Sequence, residues 1–156
     1  MGEQCSETLS FSGEALLEVM TAVLENKALF RFQAKGFSMS PVIRHGDILT
    51  LASLEGEKPG VGDVVAFKNP YSPNLVIHRI VAKKKGVGFW IKGDNGKDWD
   101  GFFEEKKIMA RVVRVERGGK NVWYGGSFIA LLSRFGVLTL FVPLVRRMKN
   151  SLRFMG

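Results

Sequence analysis

Ser38 stands in KGFSMSPVIRHGD, residues 35–47, between a Gly-Phe pair and a methionine, with Pro41 close behind and a Gly-Asp turn closing the stretch. A serine hydroxyl is a poor nucleophile until a neighbouring base takes its proton. The chain holds two histidines, His45 and His78. His45 falls in the polar turn IRHGD and is expected to be solvated. His78 falls in the apolar run VIHRIV, where a histidine by itself is more often structural than catalytic. A third stretch changes that balance: IKGDNGKDWDG, residues 91–101, offers Asp94, Asp98 and Asp100 in a loop after a strand. A carboxylate that holds an imidazole in one tautomer is the usual third member of a serine–histidine site. Asp-Asn-Gly is also ordinary turn chemistry, so the residues alone leave open which acid, if any, serves.

The elements that must position these groups are short. From Ser12 to about Asn26, Leu16, Leu17, Met20, Val23 and Leu24 recur at helical spacing, with Ser12 as N-cap and Glu14 in the first turn. The period then changes to two. In ALFRFQA, Phe30, Phe32 and Ala34 share one face, and Arg31 and Gln33 share the other. Strands are predicted at DILTLAS, DVVAFK, LVIHRIVAK, VGFWIKG and IMARVVRVER, separated at short intervals by turn residues. This pattern predicts a mainly β, mostly antiparallel domain.

Composition narrows the function classes. A chain of 156 residues, 46% hydrophobic and 24% charged, is long enough for one domain with a core. The formal net charge of +8 fits a basic soluble surface or a membrane-facing one. Nucleic acid is not an expected partner, because no binding motif accompanies the scattered Lys and Arg residues. The lone cysteine, Cys5, cannot form an internal disulfide, and neither a metal site nor a cofactor is expected. No basic segment followed by an apolar core opens the chain, so no signal peptide is predicted.

Taken together, GFSMSPVIRHGDIL, VGDVVAFK, VIHRIV, IKGDNGKDWDG and ARVVRV resemble a type I signal peptidase, most closely its archaeal and endoplasmic-reticulum branch, which is related to the LexA-like self-cleaving peptidases. The likeness runs from about residue 34 to 116, roughly half the chain. It implies a coiled β-sheet peptidase domain of the signal-peptidase/LexA type with serine endopeptidase activity. It also implies the candidate catalytic residues: Ser38 as nucleophile, His78 as base, and Asp100 as the acid six positions after the aspartate of Gly-Asp-Asn, with Asp94 as the alternative third residue. The backbone N–H groups of Phe37 and Ser38 would form the oxyanion hole, and Met39 and Pro41 would touch substrate. Relatives commonly carry Ser or Thr two positions before the nucleophile; here that position is Gly36, as in the self-cleaving repressors.

The expected organisation is an N-terminal tail and amphipathic helix over residues 1–27, a catalytic β domain over 28–120, and an apolar C-terminal helix with a basic tail over 121–156. FIALLSRFGVLTLFVPLV, residues 128–145, precedes RRMKNSLR, and Arg134 interrupts it. Three readings compete for this segment: an interfacial helix, a helix packed on the domain or a partner, and a membrane span. The expected activity is cleavage of a signal or leader-type peptide from a precursor bound in extended conformation. The alternatives are a self-cleaving LexA-like regulator and a catalytically silent peptidase-like binding module. The expected location is a membrane surface reached through residues 128–156, with a soluble cytoplasmic form as the alternative.

Overall fold

The computed structural model describes residues 13–70 and 74–135, so the predicted N-cap Ser12, Cys5 and the tail from residue 136 onward lie outside the described residues. Helix α1 (Gly13–Glu25) buries Leu17, Met20 and Leu24, one stripe at helical spacing. It ends at Lys27, whose left-handed φ of 57° lets Lys27 N–H and Ala28 N–H turn back to the carbonyls of Leu24 and Val23.

Eight strands follow: β1 (Phe30–Gln33), β2 (Ile48–Ala52), β3 (Val64–Lys68), β4 (Leu75–Lys84), β5 (Gly88–Lys92), β6 (Gly101–Glu104), β7 (Ile108–Arg117) and β8 (Lys120–Asn121). A short α2 (Ser127–Arg134) comes last among the described elements. All strand pairs are antiparallel, in the order β1-β2-β7-β3-β4-β5-β6, with β8 on the end of β7. The ten-residue β7 therefore joins both halves of the sheet: Val112 faces Leu51 of β2, and Ala110 faces Ala66 of β3. Irregular registers at Thr50/Leu51, Ala66/Phe67 and Ile80/Ala82 mark where the sheet bends.

Strand β3 shows why the sheet coils. Val64, Val65, Ala66 and Phe67 are all buried, so both faces of the strand are covered. Val64 and Ala66 join a core with α1, Leu49, Leu51 and Val112. Val65 and Phe67 join a second core with Ile80, Phe89, Ile91 and Ile108. Among the described residues no helix is long and apolar enough to cross a membrane. The described part of the C-terminal segment packs on the domain, burying Ile129, Ala130 and Ser133 and exposing Phe128, Leu131 and Phe135.

Candidate active site

The loop carrying Ser38 is closed at its neck by Ala34 N–H to Asp47 O at 2.8 Å and Gly46 N–H to Ala34 O at 2.9 Å. Asp47, buried, accepts Arg44 N–H at 2.8 Å and both Nε and Nη2 of Arg117 at 2.8 and 2.7 Å. Burial pushes the Asp47 carboxyl up, but these hydrogen bonds and the two positive charges outweigh it and hold its pKa below the ordinary value. Arg117 also donates to Val42 O, which ties the loop to β7. Within the loop Gly36 adopts a φ of +91°, a conformation that suits glycine. Its N–H donates to Nδ1 of His45 at 3.3 Å, and the ring of Phe37 stacks on that imidazole at 5.7 Å. His45 is exposed, as its polar turn predicts, yet it braces the residues just before Ser38.

His78 lies on β4, opposite Val65 of β3. Its Nδ1 is 2.6 Å from Oδ2 of Asp100, and the two side chains are 13% and 29% exposed. The imidazole is thus largely covered, and the carboxylate is partly open to solvent. The edge of Phe67 packs against the ring at 6.4 Å. The next residue, Arg79, must leave the opposite face of the strand. There it is fully buried, and Nε and Nη2 bind Oδ1 and Oδ2 of Asp94 at 2.8 and 2.7 Å, while Nη1 donates to Gly62 O. Asp94 is therefore committed to Arg79, and Asp98 is exposed in the loop between them; the acid that the chain brings to His78 is Asp100.

Gly93 joins the two halves of the site. A Cβ built on it would stand 2.8 Å from Ser38 O, 3.0 Å from Nε2 of His78 and 3.2 Å from its Cε1. The Ser38 loop and the imidazole therefore meet across a residue that has no side chain to separate them. Asn95 adds a second joint: its N–H donates to Ser38 O at 2.7 Å and its Nδ2 to Phe37 O at 3.1 Å. Ser38 and His78 both line one cleft of about 900 Å³ between β1 and the first half of β4, with Phe32, Met39, Val76 and Ile77 among its apolar walls. Met39 is also a core residue, and Pro41, joined to Ser40 by a cis peptide bond, is not part of the lining.

Several supporting residues were not singled out by the motif pattern. Arg79 carried a signal in the sequence, because strand alternation places it opposite His78 and a buried guanidinium requires a carboxylate. Asn95 and Gly93 carried none beyond their turn chemistry, since both meet the Ser38 segment, more than fifty residues away in the chain. Lys92, buried at the end of β5, is a further case. Among the described residues no group of three or more His, Cys, Asp or Glu side chains could hold a metal.

Comparison with known proteins adds a family. The family model described as Peptidase S24-like matches residues 1–113, well over half of the chain. No curated protein matches the chain.

Proposed function

The chain belongs to the Peptidase S24-like family, and from that premise we propose that it is a serine endopeptidase acting on extended peptide segments. The observation that carries this reading is the shared cleft of Ser38 and His78, with Asp100 at 2.6 Å from the far nitrogen of the imidazole. Ser38 Oγ attacks the scissile carbonyl while Nε2 of His78 accepts its proton. His78 then returns that proton to the leaving amine, and water repeats the cycle on the acyl-enzyme. Asp100 keeps the proton of the neutral ring on Nδ1, which leaves Nε2 free to act as base. The N–H groups of Phe37 and Ser38 receive the oxyanion.

The cleft geometry supports a strand-like substrate. Strand β1 ends the sheet order, and β5 pairs with β4 only from Arg79 onward, which leaves residues 75–78 without a β5 partner. A substrate laid along this gap would gain main-chain hydrogen bonds and place apolar side chains against Phe32 and Ile77. That preference, with the likeness to signal peptidases, favours a signal or leader-type segment as substrate. The exposed face of α2 and the basic tail favour action at a membrane surface.

A second reading rests on the family itself, which is related to self-cleaving LexA-like regulators: the chain would cut itself. Two assays separate the readings. Purified protein is treated with a fluorophosphonate and mapped by mass spectrometry, then incubated alone and with precursor peptides. Labelling at Ser38 with cleavage of added peptide supports the endopeptidase. Concentration-independent fragments of the chain itself would favour self-cleavage. Labelling that persists in Ser38→Ala would refute the nucleophile and point to Ser40; no labelling at all would leave a silent binding module. Removal of a serine nucleophile lowers turnover by on the order of 10⁶.

A further inference from the structure

Lys92 is 1% exposed, an unusual place for a lysine, and the proposed chemistry does not use it. It pairs in register with Arg79, so both side chains leave the sheet face opposite His78. There its Nζ donates to the carbonyl of Ser133 at 2.7 Å, in the last turn of α2. Carbonyls in the last turn of a helix lack intrahelical partners and carry the negative end of the dipole, so a buried ammonium finds a fitting acceptor there. One residue further, Arg134 places its guanidinium 5.8 Å from the ring centre of Trp99, which in turn meets the edge of Trp90.

These two contacts bracket the loop that matters. Lys92 immediately precedes Gly93, and Trp99 immediately precedes Asp100. We propose that α2 clamps both ends of the residue 93–100 loop from behind the sheet, with Lys92 and Arg134 as positioning residues that keep Asp100 against His78. The inference rests on the peptidase reading for its effect on rate, but not for its effect on geometry. Burial drives the Lys92 ammonium toward its neutral form, while Asp94, Asp98 and Asp100 draw it back toward the charged one.

The test uses the full chain with Lys92→Met, which keeps the stem and removes the donor, and Arg134→Gln, which removes only a partly exposed contact. Two readouts are taken on each folded variant. The first is the rate of fluorophosphonate labelling at Ser38, measured also in an Asp100→Asn background. Lys92→Met lowers that rate about 10-fold, Arg134→Gln about 3-fold, and both effects shrink to less than about 2-fold once Asp100 is gone. Equal losses in both backgrounds, or no loss, would overturn the proposal. The second is the downfield proton resonance of His78 Nδ1–H, which needs no activity. Its presence in the parent and loss in Lys92→Met upholds the clamp even in a protein that no fluorophosphonate labels, a result that would count against the peptidase reading alone. Its persistence unchanged overturns the clamp. If Lys92→Met fails to fold, Arg134→Gln decides by the same two readouts.

Discussion

Replacing Gly93 with alanine adds one methyl group at the point where the Ser38 loop meets His78. The new Cβ would lie 2.8 Å from the carbonyl oxygen of Ser38 and 3.0 Å from Nε2 of His78, where ordinary contact begins at 3.4 Å. Relief therefore needs a displacement of about 0.6 Å from the first and about 0.4 Å from the second, the differences from that contact distance. The first neighbour is backbone, and it already accepts Asn95 N–H at 2.7 Å, so it cannot yield without loosening that bond. Overpacking of this kind costs about 1–3 kcal/mol, which for a chain of this size lowers the melting temperature by roughly 2–10 °C. The effect on rate is larger in proportion. A displacement approaching 1 Å between reacting groups costs on the order of 10²-fold, so labelling of Ser38 and peptide cleavage should fall about 10- to 100-fold. Thermal melts beside fluorophosphonate labelling rates give both numbers from one preparation. Gly93→Ala with unchanged rate and unchanged melting would refute the idea that Ser38 and His78 are spaced by this contact.

Other substitutions separate the roles of the two acids and of the loop neck. Asp94→Asn leaves the Arg79 charge buried and uncompensated and should cost about 3–5 kcal/mol in denaturant melts, whereas Asp100→Asn should fold normally and lose about 10⁴-fold in turnover. Asp47 has a folded pKa below its ordinary value of 3.8, so its contribution is complete above that value and is lost as pH falls through the lower folded one. Melting from pH 6 downward should therefore show an acid-side loss of stability that is smaller in Asp47→Asn, and identical slopes would remove Asp47 from the account. Removal of residues 136–156, which include Arg146, Arg147, Lys149 and Arg153, should weaken flotation with anionic liposomes by about 1 kcal/mol per basic residue at low salt. Equal flotation of both forms would end the membrane proposal for the tail.

Periodicity made much of the fold legible. The apolar stripe of Leu17, Met20 and Leu24 marks α1, and six of the eight strands follow from alternating or apolar runs bounded by turn residues. Strand β6 escaped because GFFE sets two aromatics side by side and shows no alternation, and β8 because two residues, Lys120–Asn121, are too few to display a period. The placing of β7 between β2 and β3 was equally out of reach, since it depends on pairings more than forty residues apart in the chain. In the candidate site, residue types identified a serine, a histidine and a set of acids. What turn chemistry could not distinguish was Asp94 from Asp100. The deciding fact belongs to β4: His78 and Arg79 are adjacent, so they face opposite sides, and each needs its own carboxylate.

That adjacency makes the two acids inseparable in consequence though distinct in task. Asp94, sealed with Arg79 on one face, fixes where the residue 93–100 loop begins. From there the chain passes Asn95, which holds the carbonyls of Phe37 and Ser38, and reaches Asp100 on the His78 face. One short loop thus holds Arg79 through Asp94, the Ser38 segment through Asn95 and the imidazole through Asp100. An aspartate placed as Asp94 is could not orient His78, because the sheet stands between them. Conversely, Asp100, partly open to solvent, could not neutralise a guanidinium buried on the other face. A single acid shared between the two would leave one cation uncompensated or one imidazole unoriented, and the loop from Asp94 to Asp100 supplies a separate carboxylate to each face.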